Sequence, residues 1–300
     1  MKRTLALLGV EYNLAQAFSM LRNPYCNTRT PVQKKRTLHA AHAEHVRIFS
    51  CTLSSLSCTP PCTLARLALI ALLVRRGFSM AARTQTISFV RHGQAQHNIR
   101  AEAKRDAGCP FDEFIQLMRE DDAFDADLTD MGRAQARAAT APDVDLIVAS
   151  PLSRAVETAA LIYPGREIVC VEALREWSGQ LLNSQRRTAS ALKESFPFVD
   201  VSEIAENDEQ WSLEVLEEEA SVAARGVAAL EWLSRRPEQR IAVVAHGGLL
   251  AVTFDPEAHG GHAARVDAPN VCGPRFGNAE VRTVSFTTTE GDGGARFSVE

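Results

Sequence analysis

Short apolar runs set between longer amphipathic stretches give residues 81–300 their rhythm. Thr86-Ile87-Ser88-Phe89-Val90, Asp145-Leu146-Ile147-Val148-Ala149, Ile168-Val169-Cys170-Val171 and Ile241-Ala242-Val243-Val244-Ala245 are brief and rich in β-branched residues, which predicts buried strands. Val281-Arg282-Thr283-Val284-Ser285-Phe286 predicts a last strand, and Gly291-Asp292-Gly293-Gly294 a turn near the end. Between the runs the pattern changes to helical spacing. Residues 99–123 are polar and helix-prone, with a break at Cys109-Pro110. Thr129 or Asp130 is a suitable N-cap for a helix through Ala134, Gln135 and Ala136. A helix through Arg154, Ala155, Thr158 and Ala159 follows Ser150-Pro151, another starts at Arg186-Arg187-Thr188, and a short one runs from Leu249 to Phe254. Residues 211–235 read as one long helix with Leu216, Ala220, Ala223, Val227 and Leu230 on one face and Glu217-Glu218-Glu219 on its solvated side. Strands alternating with helices predict an α/β fold with a mainly parallel sheet.

The first eighty residues do not share this rhythm. They carry eleven Lys/Arg against two acids, whereas residues 81–300 carry 22 against 35, an imbalance hidden in the overall net charge of −4. The leader is rich in Arg, Ser and Thr, which is the composition of an organelle transit peptide. The alternative is that translation starts at Met80 and the upstream stretch is a misassigned start; the two readings stay open. A start at Met80 predicts a cytoplasmic product, and a genuine leader predicts plastid or mitochondrion. The apolar run Leu67–Val74 is eight residues long, short of the ~20 that a membrane helix needs, so no membrane partner is expected. The acidic remainder has no basic stripe, which argues against nucleic acid. Cys109, Cys170 and Cys272 are too widely spaced for a disulfide framework or a zinc site. Neither His39, His42 and His45 in the leader nor His259 and His262 in a Gly-rich loop has the companions of a metal site. No metal and no cofactor is expected, and no oligomeric state follows from the sequence.

The candidate chemistry sits at the strand tips. Arg91-His92-Gly93 follows the first strand, and His246-Gly247-Gly248 follows the fourth. Arg154 comes in the first turn of the helix after the second strand. In a parallel sheet, loops past the carboxyl ends of the strands share one edge, the usual ligand edge of such folds. Arginine offers a permanent cation with a planar fork of donors suited to phosphate, and a neutral imidazole is a nucleophile. Past the third strand stand Glu172 and Glu176, with Trp177 beside them; a carboxylate in such a place suits a general acid.

Arg91-His92-Gly93, Arg154 after Ser150-Pro151, and His246-Gly247 stand in the order and context of the histidine phosphatase superfamily, also called phosphoglycerate-mutase-like. Residues 85–290 resemble it, with two signature segments, Leu128-Thr129-x-x-Gly132-x-x-Gln135-Ala136 and Ala149-Ser150-Pro151-Leu152-x-Arg154-Ala155-x-x-Thr158-Ala159. The chain is most similar to the plant and fungal phosphoglycerate mutase-like group through His97-Asn98, Leu174-Arg175-Glu176, Arg186-Arg187-Thr188 and Asn278-Ala279-Glu280-Val281-Arg282. The resemblance implies a three-layer sandwich over residues 81–300, with residues 177–215 as a cap. It implies a metal-independent phosphatase acting on a small phosphorylated metabolite, with His92 as the nucleophile, Glu176 as the acid and Glu172 as the runner-up, and Arg91, Arg154 and His246 around the phosphate. Asn98 is expected to add a hydrogen bond and Arg187 to reach substrate from the cap. A phosphomutase is the rival reading, although Gln94-Ala95-Gln96-His97 stands where true mutases carry Ser and Trp; a binding module without turnover is a second rival.

Overall fold

The computed structural model describes residues 82–255, 265–269, 271, 275–291 and 294–300. The leader, Cys272, His259 and His262 lie outside the described residues. Eight strands form one sheet in the order β4-β3-β2-β5-β1-β7-β8-β6. They are β1 (Arg83–Arg91), β2 (Leu146–Ala149), β3 (Ile168–Cys170), β4 (Val199–Asp200), β5 (Arg240–Ala245), β6 (Val266–Asp267), β7 (Val281–Gly291) and β8 (Gly294–Val299). From β4 to β1 all pairings are parallel, and β7 is antiparallel to both β1 and β8. The helices are α1 (Ile99–Asp106), α2 (Phe111–Glu120), α3 (Asp130–Ala138), α4 (Ser153–Ile162), α5 (Ala189–Ser195), α6 (Glu219–Ser234) and α7 (Gly247–Phe254).

Residue alternation along the strands creates three layers. Ile241, Val243 and Ala245 of β5 face a cluster with Ile87, Phe89, Val227, Leu230, Leu249 and Leu250, which places α6 and α7 on that side. Ala242 and Val244 face the opposite cluster with Val90, Ile147, Ala155, Ala159 and Leu192, which places α4 and α5 there. A strand covered on both faces has no polar side, hence the unbroken apolar run in β5.

The mixed α/β architecture with a mainly parallel sheet is as expected, and three details differ. Val281–Gly291 is not the last strand: Gly291 pairs with Gly294 and the chain returns as β8. The helix expected over 211–235 begins only at Glu219, because residues 212–217 pair with the turn around Gly179: the Gln180 amide donates to Ser212 O and the Glu217 amide to Ser178 O. Gly179 has φ +95°, and any Cβ on it would collide with Val215 O. Glu217 is accordingly not a solvated helix charge; its carboxylate pairs with Arg225 at 2.6 Å. Within the stretch 177–215, residues Val199–Asp200 form the edge strand β4.

Gly226 marks the close approach of α6 to α7, since a Cβ there would collide with Thr253 Oγ1 and lie 3.0 Å from its Cβ. Alanine is the better helix former by ~1 kcal/mol, but overpacking costs about 1–3 kcal/mol. Gly226→Ala is therefore expected to lower the urea midpoint, and adding Thr253→Ala should recover most of the loss.

Candidate active site

Register brings the three strand tips together. Arg91 pairs with Ala245 and Ala149 with Val244, so His92, His246 and Ser150 are the next residues out on adjacent strands. The His92 amide donates to Ala245 O at 3.0 Å, and His92 O accepts from the Ala279 amide at 3.3 Å. The His92 and His246 ring centroids are 5.0 Å apart. His97, in a 3-10 turn (Gln96–Asn98), brings a third imidazole 6.5 Å from that of His92.

His92 is buried, and its Nδ1 lies 2.6 Å from Gly93 O. A carbonyl can only accept, so the proton is on Nδ1 and Nε2 keeps its lone pair. Arg154 Nε donates towards that Nε2 at 3.4 Å. Burial first, then Arg154 and Arg91, push the His92 pKa well below the usual imidazole range. Arg154 is fully buried in the first turn of α4. It donates from Nη1 to Asn183 O at 2.6 Å, while Nη2 has no partner. Burial brings its pKa down to about 10, opposed by Asp125 and Glu176. The surface arginine that a sequence alone would allow is thus a desolvated cation aimed at His92 Nε2.

Arg91 donates to Phe276 O at 2.9 Å and pairs with buried Glu102, leaving Nε without a partner. His246 Nε2 is 2.8 Å from Ser150 Oγ, and its Nδ1 is buried and unpartnered. Glu176 accepts from the amides of Trp177 and Leu249 at Oε1 and of Gly248 at Oε2, at 3.0–3.1 Å. It therefore binds the N-terminus of α7, one step from His246, where a carboxylate suits the helix dipole. Arg225 of α6 holds the turn that carries it by donating to Ala173 O, Arg175 O and Glu176 O. Glu172 lies in another network, paired with Arg175 and Arg186 at 2.9 Å.

Asn98 reaches Arg91 through Glu102, and Arg187 reaches the start of α4 through Asp125. Asn98 accepts from the Ala95 amide at 3.0 Å and donates to Glu102 at 3.2 Å. Arg187 pairs with Asp125 at 2.9 Å. Asp125 in turn accepts from the Ser153 amide at 2.9 Å and from the Ser153 hydroxyl.

The loop after His92 is held by the signature segments. The Gly93 amide donates to Thr158 Oγ1, and the Gln94 amide donates to Gln135 Oε1. Thr129 caps Gly132 and binds Gln94 Oε1. A Cβ on Gly93 would lie 2.5 Å from Gly132 O, and one on Gly132 would collide with Gln94 O.

Glu102 and Asp125 carry no signal of their own in the sequence, apart from the helical i, i+4 step between Asn98 and Glu102. His97 carried one as part of a motif, without a role. Among the described residues no group of three His, Cys, Asp or Glu is placed to hold a metal ion, and no helix is long and apolar enough to cross a membrane. The arrangement presents an unprotonated ring nitrogen, two buried guanidinium groups and a second imidazole, which suits attack on a group rich in negative oxygens.

Comparison with known proteins gives the same direction. The family model described as "Histidine phosphatase superfamily (branch 1)" matches residues 116–289. A phosphoglycerate mutase-like protein of Arabidopsis thaliana is 30% identical over 207 residues, which is 56% of this chain and 73% of the relative. Phosphoglycerate mutase-like protein 1 of the same plant is 29% identical over 241 residues, 67% and 81% of the two chains. Among solved structures, a mycobacterial glucosyl-3-phosphoglycerate phosphatase is similar with a TM-score of 0.41 and 22% identity, over 73% of this chain and 98% of its own.

His97 and His246 are also held well below the usual imidazole pKa, by burial and then Arg154. In the unfolded chain all three imidazoles titrate near 6.5, so below that pH the unfolded state binds more protons than the folded one. Their contribution to stability is present above ~6.5 and is lost as pH falls beneath it, by up to about 1.4 kcal/mol per pH unit for each ring. Urea unfolding between pH 5 and 7 should show this slope, and His97→Gln should flatten it by the share of one ring.

Proposed function

Because this chain belongs to the histidine phosphatase superfamily (branch 1), we propose that it is a phosphomonoester phosphatase working through a phosphohistidine on His92. The substrate is a small phosphorylated metabolite. The observation that carries this reading is the lone pair on His92 Nε2, fixed by the Gly93 carbonyl and set beside Arg154 and His246.

In the first step His92 Nε2 forms a bond to phosphorus as the ester P–O bond breaks. Glu176, protonated for this step, gives its proton to the leaving oxygen. Its Oε2 accepts only the Gly248 amide and is the oxygen open to such a transfer. The amides at the head of α7 then stabilise the carboxylate that remains. In the second step that carboxylate takes a proton from water as the water oxygen bonds to phosphorus. The P–N bond breaks, and free His92 and inorganic phosphate are returned.

Arg91, Arg154 and His246 hold the non-bridging oxygens in both steps. Each charged hydrogen bond contributes roughly 1.5–3 kcal/mol, and charge spread over those oxygens near the transition state makes positioning the main task. Asn98 retains a second amide proton for substrate, and Arg187 approaches from the segment that follows Asn183. The stretch 177–215, whose residue Asn183 already touches Arg154, selects the organic part of the substrate.

His92→Ala is expected to abolish phosphate release from p-nitrophenyl phosphate; undiminished release would refute the covalent mechanism. Glu176→Gln should slow hydrolysis of an alkyl phosphate by about 10²–10⁴-fold and that of p-nitrophenyl phosphate much less, because a nitrophenolate leaves without a proton. Phosphoryl transfer to a second substrate hydroxyl in excess of free phosphate would make the protein a mutase. Tight phosphate binding without turnover would make it a binding module.

A further inference from the structure

Arg275 has no counterpart in the arrangement described so far. It lies on the loop before β7, next to Phe276, whose carbonyl accepts from Arg91. Its guanidinium is turned onto Gly247, the residue after His246. A Cβ on Gly247 would stand 2.9 Å from Arg275 Nε and 3.3 Å from its Nη2, and 3.0 Å from Arg91 Nε. The absence of a side chain at position 247 therefore lets two guanidinium groups meet over the head of α7.

These two cations are differently provided for. Arg91 is buried and paired with Glu102. Among the described residues Arg275 has no carboxylate in hydrogen-bonding reach, and the residue as a whole is exposed. Its charged end is nevertheless packed down on Gly247. That loss of water, then repulsion from Arg91 and Arg105, brings its pKa down to about 10, with Glu176 and Glu102 pulling weakly the other way. Like charges held this close are unfavourable unless an anion lies between or beside them. The buried phosphoryl pocket already has Arg91, Arg154 and His246 for its own anion. Of these four groups only Arg275 belongs to an exposed residue, whereas Arg91, Arg154 and His246 are buried.

We propose that Arg275 is the seat of a second anionic group on the substrate, so that the preferred phosphomonoesters carry a further carboxylate or phosphate close to the ester. The proposal rests on the reading of the neighbouring pocket as a phosphomonoester site. Arg275 takes no part in bond making; it fixes which molecules are held.

Matched pairs test it: 3-phosphoglycerate against glycerol 3-phosphate, and 2-phosphoglycolate against 2-hydroxyethyl phosphate. The members of each pair differ chiefly by one carboxylate. The full chain is expected to show a KM lower by about tenfold or more for the acid member, the worth of one charged hydrogen bond. In Arg275→Met that ratio should collapse towards one, and Arg275→Lys should keep part of it. A ratio unchanged by Arg275→Met, or no preference in the unaltered protein, overturns the proposal. So does a proportional loss on both members with the ratio kept, which would assign Arg275 to the phosphoryl pocket itself. Calorimetric binding of the same pairs to the His92→Ala protein separates the two readings. Discrimination there without turnover in the unaltered protein would leave the second-anion seat standing and remove the hydrolytic mechanism. Thermal melting of each variant confirms that it is folded.

Discussion

Positive charge confined away from water is the constraint around which this molecule is built. Arg91 and Arg154 are both buried beside three imidazoles. A buried, unneutralised cation is costly, and one that is hydrogen-bonded is much less so. The surroundings answer this in a graded way. Arg91 receives Glu102 and a carbonyl from the loop before β7. Arg154 receives the Asn183 carbonyl, the distant Nε2 of His92 and the weaker field of Asp125 and Glu176, with no carboxylate bonded to it among the described residues. What is left uncompensated is concentrated at the tips of β1, β5 and β2. The imidazoles respond by staying neutral, which keeps the lone pair of His92 available. Desolvation thus both leaves positive charge unbalanced at the strand tips and keeps His92 unprotonated.

The elements away from the tips supply rigidity. Glu176 is not held by its own turn alone. Arg225, from the helix on one face of the sheet, gathers the Ala173, Arg175 and Glu176 carbonyls of that turn and the carboxylate of Glu217. Asp122 does comparable work nearer Arg154, accepting from the amides of Leu182 and Asn183 and from the Asn183 side chain. The carbonyl that Arg154 uses is therefore itself fixed in place. Such supporting bonds give a site its precision, since a group misplaced by an ångström loses much of its effect.

The framework was readable from the sequence wherever one residue type serves one purpose. The apolar runs of β1, β2, β3 and β5 have no alternative use, and strand tips bearing His92 and His246 follow from a parallel sheet. Thr129 as a helix cap was equally plain. Less was readable where a role depends on a distant partner. Glu217 looks like any helix acid until Arg225 is seen beside it. Residues 211–218 have helical periodicity, yet backbone pairing with the Gly179 turn outweighs their propensity. Of the strands, β4 and β6 are two residues each, too short to leave a pattern. Glu102 and Arg275 gain meaning only from the fold that brings them to Arg91.

Gly93 and Gly132 face one another across a gap that admits no methyl group from either side. One belongs to the loop that follows His92, the other to α3. Their contact works as a steric lock whose two halves are useless apart. A descendant of this protein that enlarged either residue would have to displace the opposing backbone, and with it the carbonyl that orients His92. Drift at position 132, on a different element, would therefore reach the His92 ring through main chain alone.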